Sequence, residues 1–252
     1  EHLDTYGNVD EIETTFQRYF ERLPRHGKII ANRDDPRLRS VAEKFGLQTI
    51  WYSINDPEAA FVRRVLRIPG EHNVSNAMAA LRLGRLMGVA EPHILAALGR
   101  FGGAWRRFEL TSFLNGAYVI SDYAHHPGEI RATLAAARGR YPFRRIWCVF
   151  QPHQRRRLAA LWRDFIDAFD SADRVCLLPV YEVAGREDEE KGRSAASHVL
   201  ARELLKKGKE VSHFASLAAA KKHLCRHTRM GDVVLIMGAG DIYQLTKELE
   251  RL

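Results

Sequence analysis

The sequence predicts an α/β protein: a Rossmann-like domain with a mainly parallel sheet, preceded by a smaller, partial α/β domain. Three observations carry that expectation. From Arg145 onward, apolar strand-like runs alternate with segments of helical periodicity, the pattern of strands joined by crossover helices. The 252 residues suffice for two domains at ~100–200 residues each. A hydrophobic content of 46% with 28% charged residues is that of a soluble globular chain, and no run approaches the ~18–20 apolar residues of a membrane span.

Taken in order, Val9 to Leu23 reads as an amphipathic helix, and Lys28 to Ala31 as a short strand ending in Asn32-Arg-Asp-Asp35. Pro36 to Phe45 reads as a helix and Thr49 to Tyr52 as a strand. A strand-poor stretch reaches Ile68-Pro-Gly70, and helices follow from about Asn73 to Met87 and from Glu91 to Leu98. Phe101-Gly-Gly-Ala-Trp105 is a glycine-containing hinge, which divides the chain into domains 1–104 and 105–252.

Beyond the hinge, Ala117 to Ile120 is a β-branched strand and Glu129 to Arg140 a helix. Strands are expected over Arg145 to Phe150, Arg174 to Val180, Glu210 to Phe214 and Asp232 to Met237. The helices that follow them cover Arg155 to Phe169, Arg193 to Lys207, Leu217 to Cys225 and Asp241 to Leu252.

The formal charge of +8 suits acidic small molecules such as phosphates, or nucleic acid. Zinc-finger spacing, an aromatic RNA-binding signature and a basic helix with interleaved aromatics are all missing, so no nucleic-acid partner is expected. Cys148, Cys176 and Cys225 are scattered and odd in number, without metal-ligand spacing, which fits a reducing, cytoplasmic setting. The chain opens on Glu1 without a secretory signal, and is expected to be a fragment or a processed chain.

The most informative stretch is Ser121-Asp-Tyr-Ala-His-His-Pro-Gly-Glu129. A strand runs into an acid, two imidazoles and a proline suited to the first turn of a helix. Such a loop lies where backbone N–H groups and the helix dipole favour anions, and where open α/β sheets bind ligands. Asp122, His125 and His126 converge there, although Asp122 as a turn cap with solvated histidines accounts for the same residues. Asn73 and Asn76 lie one turn apart at the start of a helix, able to read a base edge or to cap the helix. In Arg106-Arg-Phe-Glu109 an arginine beside the hinge can reach phosphates, or form a surface ion pair.

As a set, these motifs resemble the Mur ligases. Gly70-x-His-Asn-x-x-Asn-Ala77, Phe101-x-Gly-x-x-Arg-Arg-Phe-Glu109, Asp122-Tyr-Ala-His-His-Pro127, Val149-Phe-Gln-Pro-His153 and Gly238-Ala-Gly-Asp241 follow the family's order and approximate spacing. The pairing of Asp-Tyr-x-His-His-Pro with Phe-Gln-Pro-His points to the branch that joins L-alanine to UDP-N-acetylmuramate in peptidoglycan precursor synthesis.

The resemblance implies an ATP- and Mg²⁺-dependent, amide-forming ligase working through an acyl phosphate, with positioned cations stabilising the developing charge. It implies adenine contacts from Asn73 and Asn76 with His72 beside them, phosphate contact from Arg107, and a ribose contact from Asp122. His125, His126, His153 and Arg157 fall near the muramyl carboxylate and the incoming alanine, and His2 falls at a magnesium-binding position. Arg107, His125 and Arg157 are the implied catalytic groups. The implied partners are UDP-N-acetylmuramate, L-alanine and ATP, with a monomer or weak homodimer and no membrane.

The chain departs from the family pattern in three places. It has no G-x-x-x-x-G-K-[ST] phosphate loop and no UDP-binding N-terminal domain, so it is expected to be inactive alone. A gap is expected near residues 56–61, leaving an exposed sheet edge. Gln151-Pro-His-Gln-Arg-Arg-Arg-Leu158 keeps Arg157 but carries Gln154 and Leu158 where the family has arginine and threonine. The alternatives are a ligase that recycles murein tripeptide, a non-catalytic nucleotide-binding module of the same fold, and a dehydrogenase. The last lacks the third glycine after Gly238-Ala-Gly240.

Overall fold

In the computed structural model, residues 6–24, 26–44, 48–182 and 196–251 are described. Two compact units meet in sequence between Gly102 and Gly103.

The first unit starts with α1 (Val9–Phe20), capped by the Asn8 side chain accepting from Glu11 N–H. It continues through β1 (Lys28–Asn32), α2 (Pro36–Lys44) and β2 (Gln48–Tyr52), with β1 and β2 paired in parallel from Lys28↔Gln48 to Asn32↔Tyr52. Phe20, Ile29, Ala31 and Val41 form its smaller core. The stretch expected to be strand-poor holds a helix, α3 (Pro57–Val65), which Pro57 starts and Leu66 ends. It packs with α4 (Glu71–Leu86) and α5 (Glu91–Arg100) around Ala59, Val62, Val74, Met78, Leu81 and Ile94.

An ion network stitches these helices to β2. Arg82 donates to Asp56 at 2.8 Å, to Glu58 at 2.9 Å and to the Trp51 carbonyl, while Arg85 joins Glu58 to Glu91. The two guanidinium groups hydrogen-bonded to Glu58 hold its carboxyl down at about 2.

The second unit is a six-stranded sheet of order β3-β4-β8-β5-β6-β7. Its strands are β3 (Glu109–Leu114), β4 (Ala117–Asp122), β5 (Ile146–Phe150), β6 (Arg174–Leu177), β7 (Glu210–His213) and β8 (Val233–Met237). Every residue of β5 and β8 is buried, as expected for central parallel strands covered on both faces. One face packs Ile120, Phe150, Leu177 and Leu235 against α6 (Pro127–Arg140), α7 (Arg155–Ala160), α8 (Trp162–Ile166) and α9 (Ser197–Lys206). The other packs Val149, Trp147, Val234 and Ile236 against α10 (Leu217–His227) and α11 (Tyr243–Leu249).

Two elements differ from the sequence expectation. The antiparallel edge strand β3 was not expected, yet Asn115 and Gly116 both take positive φ (51° and 77°), the two-residue turn that suits a twisted hairpin. The single helix expected from Arg155 to Phe169 is broken at Leu161 into α7 and α8, and the break leaves Leu158, Phe165 and Phe169 all buried in one core.

Candidate functional site

Strand register gathers the second unit's site. Asp122 pairs with Met237, Met237 with Phe150, and Phe150 with Leu177, so the carboxyl ends of β4, β8, β5 and β6 lie side by side. Whatever follows each strand therefore shares one edge. The loops are Tyr123 to His126, Gly238 to Asp241, Gln151 to Gln154 and Leu178 to Tyr181.

Asp122 is buried and faces its own chain. It accepts hydrogen bonds from Phe108 N–H and Ala124 N–H at 2.8 Å each and from the Thr133 hydroxyl at 3.3 Å. Burial raises its carboxyl above the ordinary range, against the pull of those bonds and of Arg107. The geometry thus supplies what a loop-fixing acid needs. His126 is the N-cap of α6, its Nδ1 accepting from Gly128 N–H at 3.3 Å in a reciprocal capping box with Glu129.

Glu129, not among the expected site residues, is the hub of this loop. Its Oε2 accepts from His125 N–H at 3.0 Å and His126 N–H at 3.2 Å, lies 3.2 Å from His125 Nδ1, and its other oxygen is 3.7 Å from Arg107. Burial alone would raise this carboxyl; the N–H bonds from His125 and His126, the neighbouring His125 ring and the Arg107 guanidinium outweigh it and hold it below the ordinary value. The sequence signal was present, since Glu129 is three residues after the N-cap of a proline-started helix.

His125 and His153 are brought together. Their rings are 6.0 Å apart and edge-on, with Tyr123 against His125 at 5.4 Å and Tyr181 stacked on His153 at 5.6 Å. Arg157, one turn into α7, lies 3.4 Å from His153 Nδ1. Tyr181 has no local sequence signal; a single parallel bridge to His153 places it there, with Gln154 N–H donating to its carbonyl. Gln154, one of the departures from the family pattern, takes φ +65° at the start of α7. Arg107 is half exposed and lies 5.4 Å over the Tyr123 ring. The file Tyr181–His153–His125–Tyr123–Arg107 draws on the loops after β6, β5 and β4 and offers imidazole and guanidinium groups to an anion.

The first unit carries a separate feature. A cavity of about 490 Å³ is lined by apolar residues including Leu66, Ile68, Ile94 and Phe101, together with the amides of Asn73 and Asn76. The helix-capping alternative does not hold. Helix α4 begins at Glu71 with Gly70 as N-cap, and the Asn73 amide nitrogen donates to the Pro69 carbonyl at 2.7 Å instead of accepting a free N–H. An apolar slot with two amides suits a flat heteroaromatic ring. His72 is exposed beside it.

No group of three or more His, Cys, Asp or Glu side chains among the described residues is placed to hold a metal ion. His2, expected at a magnesium site, lies outside the described residues. No helix among the described residues is long and apolar enough to cross a membrane.

Sheet, edge-clustered site and helical unit define a protein of the Mur ligase class. The Mur ligase middle-domain model matches residues 1–67 and the model of the Mur ligase glutamate ligase domain matches residues 106–240; the chain belongs to the Mur ligase family. It is 39% identical to the UDP-N-acetylmuramate–L-alanine ligase of Pelotomaculum thermopropionicum over 99% of this chain and 58% of that protein. The chain thus spans little more than half the length of that curated relative. Among solved structures it resembles the UDP-N-acetylmuramate–alanine ligase of Thermotoga maritima, with a TM-score of 0.73 and 25% identity over 100% of this chain and 56% of that one. The fold is also that of a murein peptide ligase from Psychrobacter arcticus, with a TM-score of 0.62 and 24% identity over 99% and 55% of the two chains.

Proposed function

We propose that this chain is the nucleotide- and amine-handling part of an ATP-dependent ligase that joins L-alanine to UDP-N-acetylmuramate. The observation that carries the reading is the convergence of Arg107, His125, His153 and Arg157 at one end of the sheet, with Glu129 holding Arg107 and His125, and His153 linking His125 to Arg157. Similarity along almost the whole chain to UDP-N-acetylmuramate–L-alanine ligases supports it.

In this reading ATP supplies the phosphoryl group that activates the lactoyl carboxylate. Asn73 and Asn76 offer amide donors and acceptors to the adenine edge in their apolar slot. Arg107, half exposed, 3.7 Å from Glu129 and resting over the Tyr123 ring, presents its fork of donors to phosphate oxygens. Asp122 is assigned to the ribose on the family resemblance; its three internal hydrogen bonds leave one acceptor site, on Oδ2.

His125, His126, His153 and Arg157 form the carboxylate and amine side of the site. Arg157 offsets the charge of a carboxylate and of the tetrahedral intermediate that follows amine attack, and the imidazoles add ring hydrogen-bonding groups. Magnesium accompanies ATP in this reading, with His2 as its assigned ligand.

The test is amide formation by the product of the full open reading frame, supplied with UDP-N-acetylmuramate, ATP, Mg²⁺ and L-alanine. Phosphate release must depend on both the muramyl substrate and L-alanine; release that ignores either one removes the proposal. Transfer of a murein tripeptide in place of L-alanine moves the protein to the recycling branch. Arg107→Ala is expected to lower kcat/KM by at least about 10²-fold, as for loss of one donor to a charged transition state, with the unfolding transition unchanged. Near-normal turnover by that variant removes Arg107 from the phosphates.

A further inference from the structure

Arg106, the neighbour of Arg107, is a buried cation with only 4% of its surface exposed and no ion-pair partner among the described residues. Buried charges are normally paired, because leaving water costs several kcal/mol per ion. Here three aromatic rings take the place of an acid. The guanidinium carbon lies 4.9 Å from the Tyr123 ring centre, 5.1 Å from that of Tyr243 and 5.5 Å from that of Trp105. One terminal nitrogen donates to the Gly238 carbonyl, and Nε has no partner among the described residues. The cage therefore joins the segment after the hinge to the end of β4, the turn after β8 and the start of α11.

The backbone around it is held in an unusual shape. Arg106 and Phe108 take φ of 54° and 50°, the left-handed region that non-glycine residues rarely occupy. Glu109 accepts from Arg106 N–H at 2.9 Å, Tyr123 N–H donates to the Arg106 carbonyl at 2.7 Å, and Asp122 accepts from Phe108 N–H at 2.8 Å. Between those two residues Arg107 is thrown outward, its guanidinium 5.4 Å from the same Tyr123 ring that Arg106 faces. Strain of this kind persists only where the surroundings over-determine it.

We propose that Arg106 is the positioning residue that presents Arg107: its aromatic cage fixes the left-handed turn and the Tyr123 ring on which the Arg107 guanidinium rests. The inference rests on Arg107 engaging the nucleotide phosphates. The Arg106 guanidinium itself faces the three rings and the Gly238 carbonyl.

The experiment is equilibrium binding of a fluorescent ATP analogue to the full open-reading-frame product, with a thermal unfolding curve for every variant. Arg106→Met, which keeps the bulk and removes the charge, is expected to weaken binding about tenfold, the size of a desolvated cation–π cage. Arg106→Lys, still cationic, is expected to recover most of that loss. Tyr243→Leu opens the cage from α11 and is expected to reproduce the defect, which serves if Arg106→Met fails to fold. In an Arg107→Ala background, Arg106→Met is expected to change binding less than about twofold, because the two act as one unit. Equal weakening with and without Arg107, or no weakening by Arg106→Met or Tyr243→Leu, overturns the proposal. An Arg107→Ala variant that binds the analogue normally overturns the phosphate assignment and this inference together. Absent alanine-dependent amide formation with the Arg106–Arg107 coupling intact overturns the ligase reading alone.

Discussion

Replacing Gly240 by alanine probes the site through its packing. A Cβ built on Gly240 would lie 2.5 Å from Cγ and 2.8 Å from Cδ2 of Tyr181, and 2.9 Å from Oε1 of Gln151, all closer than such atoms approach. Neither neighbour has an easy retreat. Tyr181 is tied by Tyr181 N–H donating to the Pro152 carbonyl at 2.8 Å and by Gln154 N–H donating back at 3.0 Å, and its ring is stacked on His153. Gln151 Oε1 accepts from Ile242 N–H at 3.2 Å, so moving it leaves a buried donor unpartnered. Overpacking costs ~1–3 kcal/mol and a lost buried partner about the same, and only one of the two escapes is needed. Gly240→Ala should therefore lose about 1–3 kcal/mol, with a fall in Tm of about 2–4 °C per kcal/mol for a unit of this size. Gly139, inside α6 with nothing within 4 Å of its hypothetical Cβ, is the control: Gly139→Ala should gain about 0.4–1 kcal/mol. Urea unfolding of both variants measures the pair, and the His153 ring resonances report the stack. A Gly240→Ala variant as stable as the parent, with unshifted His153 signals, refutes the packing argument.

The other predictions concern single polar groups and the cavity. Asp232, 5% exposed, accepts from Arg145 at 3.1 and 2.7 Å, from Trp147 Nε1 at 3.1 Å and from Arg229 N–H at 3.0 Å. Asp232→Ala should cost ~3–5 kcal/mol in urea unfolding by stranding those donors, and a loss below about 1 kcal/mol contradicts this. Glu58, held at about 2 by its two arginines, gives stability that is present above its ordinary value of 4.5 and lost as pH falls towards about 2. With its side chain 36% exposed, solvent screening reduces that contribution to about 1 kcal/mol. The stability gap between the parent and Glu58→Gln should therefore close across that window, and a gap constant from pH 7 to pH 2.5 would count against the network. Ala80→Leu, on the accessible rim of the first unit's cavity, should weaken ATP-analogue binding at least about tenfold while shifting stability by less than about 0.5 kcal/mol.

Much of the fold was legible because its signals are local. Strands β5 and β8 are unbroken apolar runs, and Pro127 marks the start of α6 where its missing N–H costs nothing. Asn115-Gly116 was equally legible, as the shortest hairpin signal a sequence offers, although the strand expected there starts only after it. Helix α3 lies in the stretch expected only to be strand-poor, although Pro57 marks its first turn. The break at Leu161 has no proline or glycine to announce it.

The sequence by itself determined the alternation of elements, the family, and the clustering of Asp122, His125 and His126 at a strand-to-helix junction, since each is written in short runs of neighbouring residues and their order along the chain. Only the tertiary structure decided that β8, the last strand, lies between β4 and β5, bringing the Gly238 turn to the same edge as His125 and His153. It also placed Tyr181 on His153 and Tyr243 on Arg106. The physical reason is that periodicity records how deeply a side chain is buried and on which face. Which distant element covers that face is settled by packing, after the chain has closed its loops.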